Sequence, residues 1–113
     1  MTAGLLLVGA SGLAREVLAA GITGVVGIID DDVERHGSEI AGVPVLGGTA
    51  LAATSEDQLL LCIGPSAVRR EVARRLMRAG VDDDRFETFV ARTARIGRTC
   101  DVGPGSIVLD GVV

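Results

Sequence analysis

The run Leu5-Leu6-Leu7-Val8-Gly9-Ala10-Ser11-Gly12-Leu13-Ala14-Arg15-Glu16 constrains the chain most, because an apolar strand meets a glycine-bearing turn that opens an amphipathic helix. Such a turn suits phosphate. Gly9 and Gly12 let backbone approach a ligand closely, while the amides and dipole at the helix start favour an anion. Ser11 supplies a hydroxyl that can donate or cap the helix. The dinucleotide fingerprint asks for glycine at its first, third and sixth places, and those places are Gly9, Ser11 and Ala14 here. Only the first matches.

Asp30 closes the next apolar run, Val25-Val26-Gly27-Ile28-Ile29, and Asp31 and Asp32 follow. A carboxylate at that strand end can hold a ribose hydroxyl or a base N–H. Loop and acid together point to nucleotide binding of some kind. The competing reading is a tight strand-to-helix turn beside a solvated acidic loop.

Between these strands, Leu13, Ala14, Val17 and Leu18 share a helical face and Gly21 marks the stop. The polar stretch 31–42 reads as a loop, and Val43-Pro44-Val45-Leu46 reads as part of a connecting region, too short and proline-bearing for a central strand. A brief helix is expected from about Thr49 to Ala53. Gln58-Leu59-Leu60-Leu61-Cys62-Ile63 is the third strong strand, again ending in glycine at Gly64. Ser66 then caps a helix whose apolar stripe is Val68, Val72, Leu76 and Ala79, with Gly80 as its stop. The arginines around that stripe read as a solvated face, except Arg69, which lies in the first turn near Gly64 and is a candidate for reaching a ligand. Arg85-Phe86-Glu87-Thr88-Phe89 alternates like an edge strand.

From Val90 the period changes to six. The hexads begin with Val90, Ile96, Val102 and Val108, their second places are small in the first three (Ala91, Gly97, Gly103), and their fifth places are small or medium (Ala94, Cys100, Ser106, Val112). An inward aliphatic followed by small corner residues is the pattern of a hexapeptide β-helix. The reading is therefore an α/β domain over residues 1–89, with strands Leu5–Val8, Val25–Ile29 and Leu59–Ile63 parallel and adjacent, followed by the first β-helical repeats over 90–113.

Composition excludes several functions. Two aromatic side chains in 113 residues leave almost no platforms for stacking bases, and a net charge of -4 opposes polyanion binding although all 11 basic residues are Arg. No nucleic-acid partner is expected. No run of apolar residues is long enough for a membrane span and no charged segment precedes the first apolar run, so a cytoplasmic location is expected. Cys62 and Cys100 match no zinc or redox spacing and read as packed thiols, so no metal site is expected. His36, in a polar loop, is given no role.

Both halves together resemble the bacterial sugar acyltransferases of the PglD and NeuD type, which join a small Rossmann-like domain to a left-handed β-helix. The residues carrying the likeness are Gly9-Ala10-Ser11-Gly12, Arg15-Glu16-Val17, Ile29-Asp30-Asp31-Asp32, Gly42-Val43-Pro44-Val45-Leu46-Gly47, Cys62-Ile63-Gly64 with Arg69, and the hexads. Leu13 stands where members often have His. The resemblance implies an N-terminal domain that binds a UDP-linked amino sugar or related sugar, with Gly9, Ser11 and Gly12 at the diphosphate and sugar, Asp30 and Asp31 at the uridine, and Gly64 on the sugar side; Ala10 and Arg69 complete the expected substrate-binding set. It further implies acetyl-CoA as co-substrate, held between β-helices of a homotrimer, and a catalytic histidine in a later coil. The sequence given ends at Val113, before such coils, so no catalytic residue is assigned and this form is expected to be inactive in acyl transfer. Two other readings stay open: an NAD-type dinucleotide domain, and a non-catalytic sensor or assembly domain in which the hexads only trimerise.

Overall fold

A computed structural model of the chain describes residues 4–63 and 66–87, with the strand backbone at 89–90 and 107–108. Its centre is a five-stranded sheet built from β1 (Leu5–Val8), β2 (Val25–Ile29), β3 (Glu39–Ile40), β4 (Val43–Gly47) and β5 (Gln58–Leu61), in the order β3-β4-β2-β1-β5. The strands β4, β2, β1 and β5 run parallel, and β3 is an antiparallel edge. The three strands expected to be adjacent are so, with Leu7 facing Ile28 on one side and Leu60 on the other. This is the Rossmann-like arrangement.

Near-continuous aliphatic strands arise because the sheet is covered on both faces. Leu5, Leu7, Ile28, Val45, Leu60 and Cys62 pack with Ala14 and Val17 of helix α1 (Gly12–Ala19). The alternate residues Leu6, Val8, Ile29, Leu59 and Leu61 pack with Val72 and Leu76 of helix α2 (Ser66–Arg78) and with Ala52. The strand after which the chain changes face is decisive. Helix α1 leaves β1 on one face, α2 follows β5 on the other, and the two strands are neighbours, so their carboxyl ends diverge and leave a crevice between them.

Three expectations need correction. The segment Val43–Gly47 is an interior strand, not a connection: it pairs with both β2 and β3. Pro44 is tolerated because the Val45 N–H donates to the Ser38 carbonyl and the Val45 carbonyl accepts from the Gly37 N–H, at 2.8 and 3.0 Å. Successive backbone groups point to opposite edges, so the N–H that proline lacks falls toward β2, where the ladder begins only at Ile28 and Val45. Likewise, the supposed loop 31–42 contains a 3₁₀ turn at Val33–Arg35 and strand β3. A two-residue hairpin, Ala41 (φ 50) and Gly42 (φ 85), joins β3 to β4. Positive φ at both positions is the geometry that matches the twist of paired strands. Alanine is a poor residue for it, which hid the hairpin in the sequence. Ala41→Asn is expected to raise stability by roughly 0.5–1 kcal/mol, read as a midpoint increase of a few degrees in thermal unfolding.

The third correction concerns the expected edge strand from Arg85. Residues Asp83–Arg85 form a 3₁₀ turn, Phe86 makes an isolated parallel bridge to Leu59, and Phe89 opens a separate short strand. The Arg85 guanidinium is spent on the carbonyls of Asp57 and Ala52, at 2.8 to 3.0 Å, which holds the turn against the sheet. The helix expected from Thr49 is also a 3₁₀ segment, Thr49–Thr54. Both helix stops fall where expected. At Gly80 the amides of Gly80 and Val81 return to the carbonyls of Met77 and Leu76 while Val81 packs in the core beside Leu76.

Of the hexads, only short pieces are described. Strand β6 (Phe89–Val90) pairs in parallel with β7 (Ile107–Val108), Phe89 facing Ile107 and Val90 facing Val108, so the partners lie three periods of six apart. The remaining hexad positions and Cys100 lie outside the described residues.

Candidate functional site

A cleft of about 280 Å³ opens at the carboxyl ends of β1, β2 and β5. Val8, Gly9 and Ser11 come from the first strand and turn, Asp30 and Asp31 from the end of β2, and Cys62 and Ile63 from the end of β5. Thr49 of the 3₁₀ segment and Val68, Val72 and Arg75 of α2 close the sides. Aliphatic walls with a few convergent polar groups are what small-molecule sites present, and the volume lies at the lower end of their range.

The glycine turn is braced from within. The Gly9 amide donates to the Ile29 carbonyl at 2.8 Å, and the Ala10 amide donates to Asp30 Oδ2 at 2.7 Å. The Ala10 carbonyl accepts from Arg35 Nη1 at 2.7 Å, and its methyl group is buried. Ser11 takes the N-cap position of α1, yet its hydroxyl makes no cap bond and instead donates to the Cys62 carbonyl at 2.8 Å. That bond ties the β1 turn to the β5 end across the crevice. It also leaves the first-turn amides of α1 without a side-chain partner, as donors for an anion.

Asp30 works as a brace as well. Its second oxygen accepts from the Asp32 amide at 2.8 Å, and its carbonyl accepts from His36 Nε2 at 2.6 Å. Since a carbonyl can only accept, Nε2 carries the proton. His36, without a role in the sequence reading, is half-buried and helps hold the end of β2.

Asp31 lies in a different setting. Thr49 donates to it from its amide (2.9 Å) and from its hydroxyl (2.9 and 3.0 Å), and Arg75 Nη2 lies 2.9 Å from Oδ2. The Thr49 amide, ahead of its hydroxyl and the Arg75 charge, lowers the Asp31 pKa below 3.8 despite the opposing effect of partial burial. A depressed folded-state value means that this stabilisation is present above the unfolded value near 3.8 and is lost as pH falls through the folded value. Carboxylate titration followed by NMR is expected to place Asp31 below 3.8. Thr49→Ala is expected to move it upward, and an unmoved titration would contradict the assignment.

Cys62, buried at the cleft floor, is pushed up to about 12 by burial and is an inert packed thiol. Among the described residues no group of His, Cys, Asp or Glu could hold a metal ion, and no helix is long and apolar enough to cross a membrane.

Of the residues singled out from the sequence, the structure brings Gly9, Ser11, Asp30 and Asp31 together at the cleft. Ala10 is buried behind it, and Gly12 faces open space on the first turn of α1. Arg69 is not among the lining residues, because one residue along an α-helix is a rotation of about 100°, which carries position 69 off the face shared by Val68, Val72 and Arg75. Gly64 lies outside the described residues. Thr49, Val68 and Arg75 are cleft residues that the sequence reading missed. The spacing of 68, 72 and 75 on one helix face was the available signal, but Val68 was taken for core, whereas it is 50% exposed. Ala79, the last of the expected stripe, is also exposed.

A family model described as the PglD N-terminal domain matches residues 4–76. The chain belongs to this family. The matched segment of this PglD N-terminal domain contains the described cleft residues from Val8 to Arg75. Its fold is similar to that of PerB from Caulobacter crescentus, solved in complex with CoA and GDP-perosamine (TM-score 0.76, 23% identity, 98% of this chain and 53% of that one). It is also similar to the acetyltransferase domain of PglB from Neisseria gonorrhoeae in complex with acetyl coenzyme A (0.73, 23% identity, 97% and 54%). A more distant likeness is to RSP in complex with β-NADH (0.52, 24% identity, 96% and 52%), RSP being a Rex-family repressor. The chain thus spans about half the length of the solved chains it matches. No curated protein matches it.

Proposed function

We propose that this chain is the substrate-side domain of a sugar N- or O-acetyltransferase, binding a nucleotide-linked amino sugar that a complete protein would acetylate from acetyl-CoA. The family match over residues 4–76 carries the reading. The cleft supports it: at about 280 Å³ it has room for the sugar or diphosphate end of such a ligand, with the nucleoside lying toward the Asp30 side. Gly9, Ser11 and Gly12 would serve the diphosphate and sugar, with Ala10 and Asp30 fixing the turn. We take UDP as the nucleotide from the resemblance, while PerB was solved with a GDP-linked sugar.

The hexads fit the same reading. Stacked coils of three hexads each would pair residues three periods apart in parallel, as Phe89 pairs with Ile107. We place the acetyl-CoA site and the histidine that would deprotonate the sugar amine or hydroxyl in further coils, and we expect the complete protein to be a cytoplasmic homotrimer.

The NAD-type reading is favoured by one observation, the likeness to RSP with β-NADH. Calorimetry with UDP-amino sugar, GDP-amino sugar and NADH separates the two. Binding of either nucleotide sugar with none of NADH is expected; binding of NADH alone would replace the proposal.

A further inference from the structure

We propose that Arg75 is the phosphate-binding cation of the cleft, and that Asp31 holds its guanidinium at the cleft mouth until a nucleoside diphosphate takes it over. The inference rests on the nucleotide-sugar reading above and deepens it by naming the residue that meets the charge.

Among the described lining residues Arg75 is the sole cation, and the same lining carries two carboxylates, Asp30 and Asp31. A diphosphate entering there brings negative charge beside negative charge, so it requires a positive group to bind. The turn that would ordinarily provide donors has used them: the Gly9 amide is taken by Ile29, the Ala10 amide by Asp30 and the Ser11 hydroxyl by Cys62. Among the described residues of this turn and lining, the first turn of α1 and the Arg75 guanidinium remain.

Arg75 is also inexpensive to recruit. Its pair with Asp31 is half exposed on both sides (51% and 50%), and exposed pairs of this kind contribute little. Asp31 keeps its partners when the arginine leaves, because the Thr49 amide and hydroxyl still donate to it. A guanidinium bound to phosphate gains a two-pronged, charge-assisted contact in exchange for the single one, from Nη2, that it makes to Asp31. The carboxylate therefore pre-positions the arginine without trapping it.

The test is calorimetry on the full 113-residue chain with UDP, GDP, uridine and guanosine, using wild type, Arg75→Gln and Arg75→Lys, with thermal melts as a check of folding. Arg75→Gln is expected to weaken UDP and GDP by about tenfold or more, while the uncharged nucleosides change by less than about twofold. Arg75→Lys is expected to retain part of the diphosphate affinity. Diphosphate affinity unchanged in Arg75→Gln would overturn the proposal and leave the nucleotide-sugar reading standing. Equal losses for diphosphates and nucleosides would reduce the pair to a structural contact and overturn it too. Failure of the wild type to bind UDP or GDP would defeat the proposal together with the reading beneath it.

Discussion

Gly9→Val is expected to destabilise the domain by about 3–5 kcal/mol, the largest effect of any single change in the glycine turn. Gly9 sits at φ +109, where side chains are strained, and a Cβ there would lie 2.9 Å from the Cys62 carbonyl oxygen. That atom belongs to the backbone of the neighbouring strand, and it is also the acceptor of the Ser11 hydroxyl, so it has little freedom to retreat. A domain of this size has about 5–15 kcal/mol in total, so a substantial share would be lost. Urea unfolding checks the expectation, with Gly12→Ala as the comparison. A Cβ on Gly12 would meet nothing within 4 Å, and its midpoint should stay within about 0.5 kcal/mol of wild type. Equal behaviour of the two variants would show that the turn is not held against β5 as described.

Val68→Trp is expected to abolish nucleotide-sugar binding, with a loss of more than about 100-fold, at almost no cost in stability. Val68 is half exposed and borders the cleft, so an indole there occupies the space of about 280 Å³ that the ligand needs, without entering the core. Met77→Trp is the control, since Met77 is 44% exposed on the opposite side of α2 and does not line the cleft. Calorimetry should find Met77→Trp equal to wild type. If Val68→Trp binds normally, the ligand does not enter between α2 and the β5 end.

The two substitutions probe different parts of one arrangement. Gly9 is demanded by the protein's own packing: the close approach it permits is that of β1's turn to the backbone of β5. Val68 is dispensable for packing and faces the cleft. The glycine motif is thus legible in sequence as a need for close approach, but what approaches is first of all another strand.

Local sequence was sufficient for three of the four parallel strands and for the two covering helices. Aliphatic runs at Leu5–Val8, 28–29 and 59–61 are buried on both faces, and the amphipathic period of α1 and α2 decides which residues meet the sheet. Where the signal depended on pairing partners, local reading failed. Pro44 argues against a strand unless one knows which edge its missing N–H faces, and Ala41 argues against a hairpin unless the flanking strands impose the turn.

The cleft divides in the same way. That Gly9, Ser11, Asp30 and Asp31 gather at one edge follows from parallel topology, which brings the carboxyl ends of all parallel strands to the same side of the sheet. What those groups do there does not follow from sequence. Hydrogen bonds between residues far apart in the chain, Ala10 to Asp30, Ser11 to Cys62 and Thr49 with Arg75 to Asp31, decide which donors are spent and which are free. The order of residues determined the three central strands, their covering and the edge where a ligand would sit. Only the tertiary structure decided that Asp30 braces the turn and that Arg75, rather than Arg69, reaches the cleft, because a side chain's partner is set by the rotation of its helix and by the strand opposite, neither of which is written within reach of that residue along the chain.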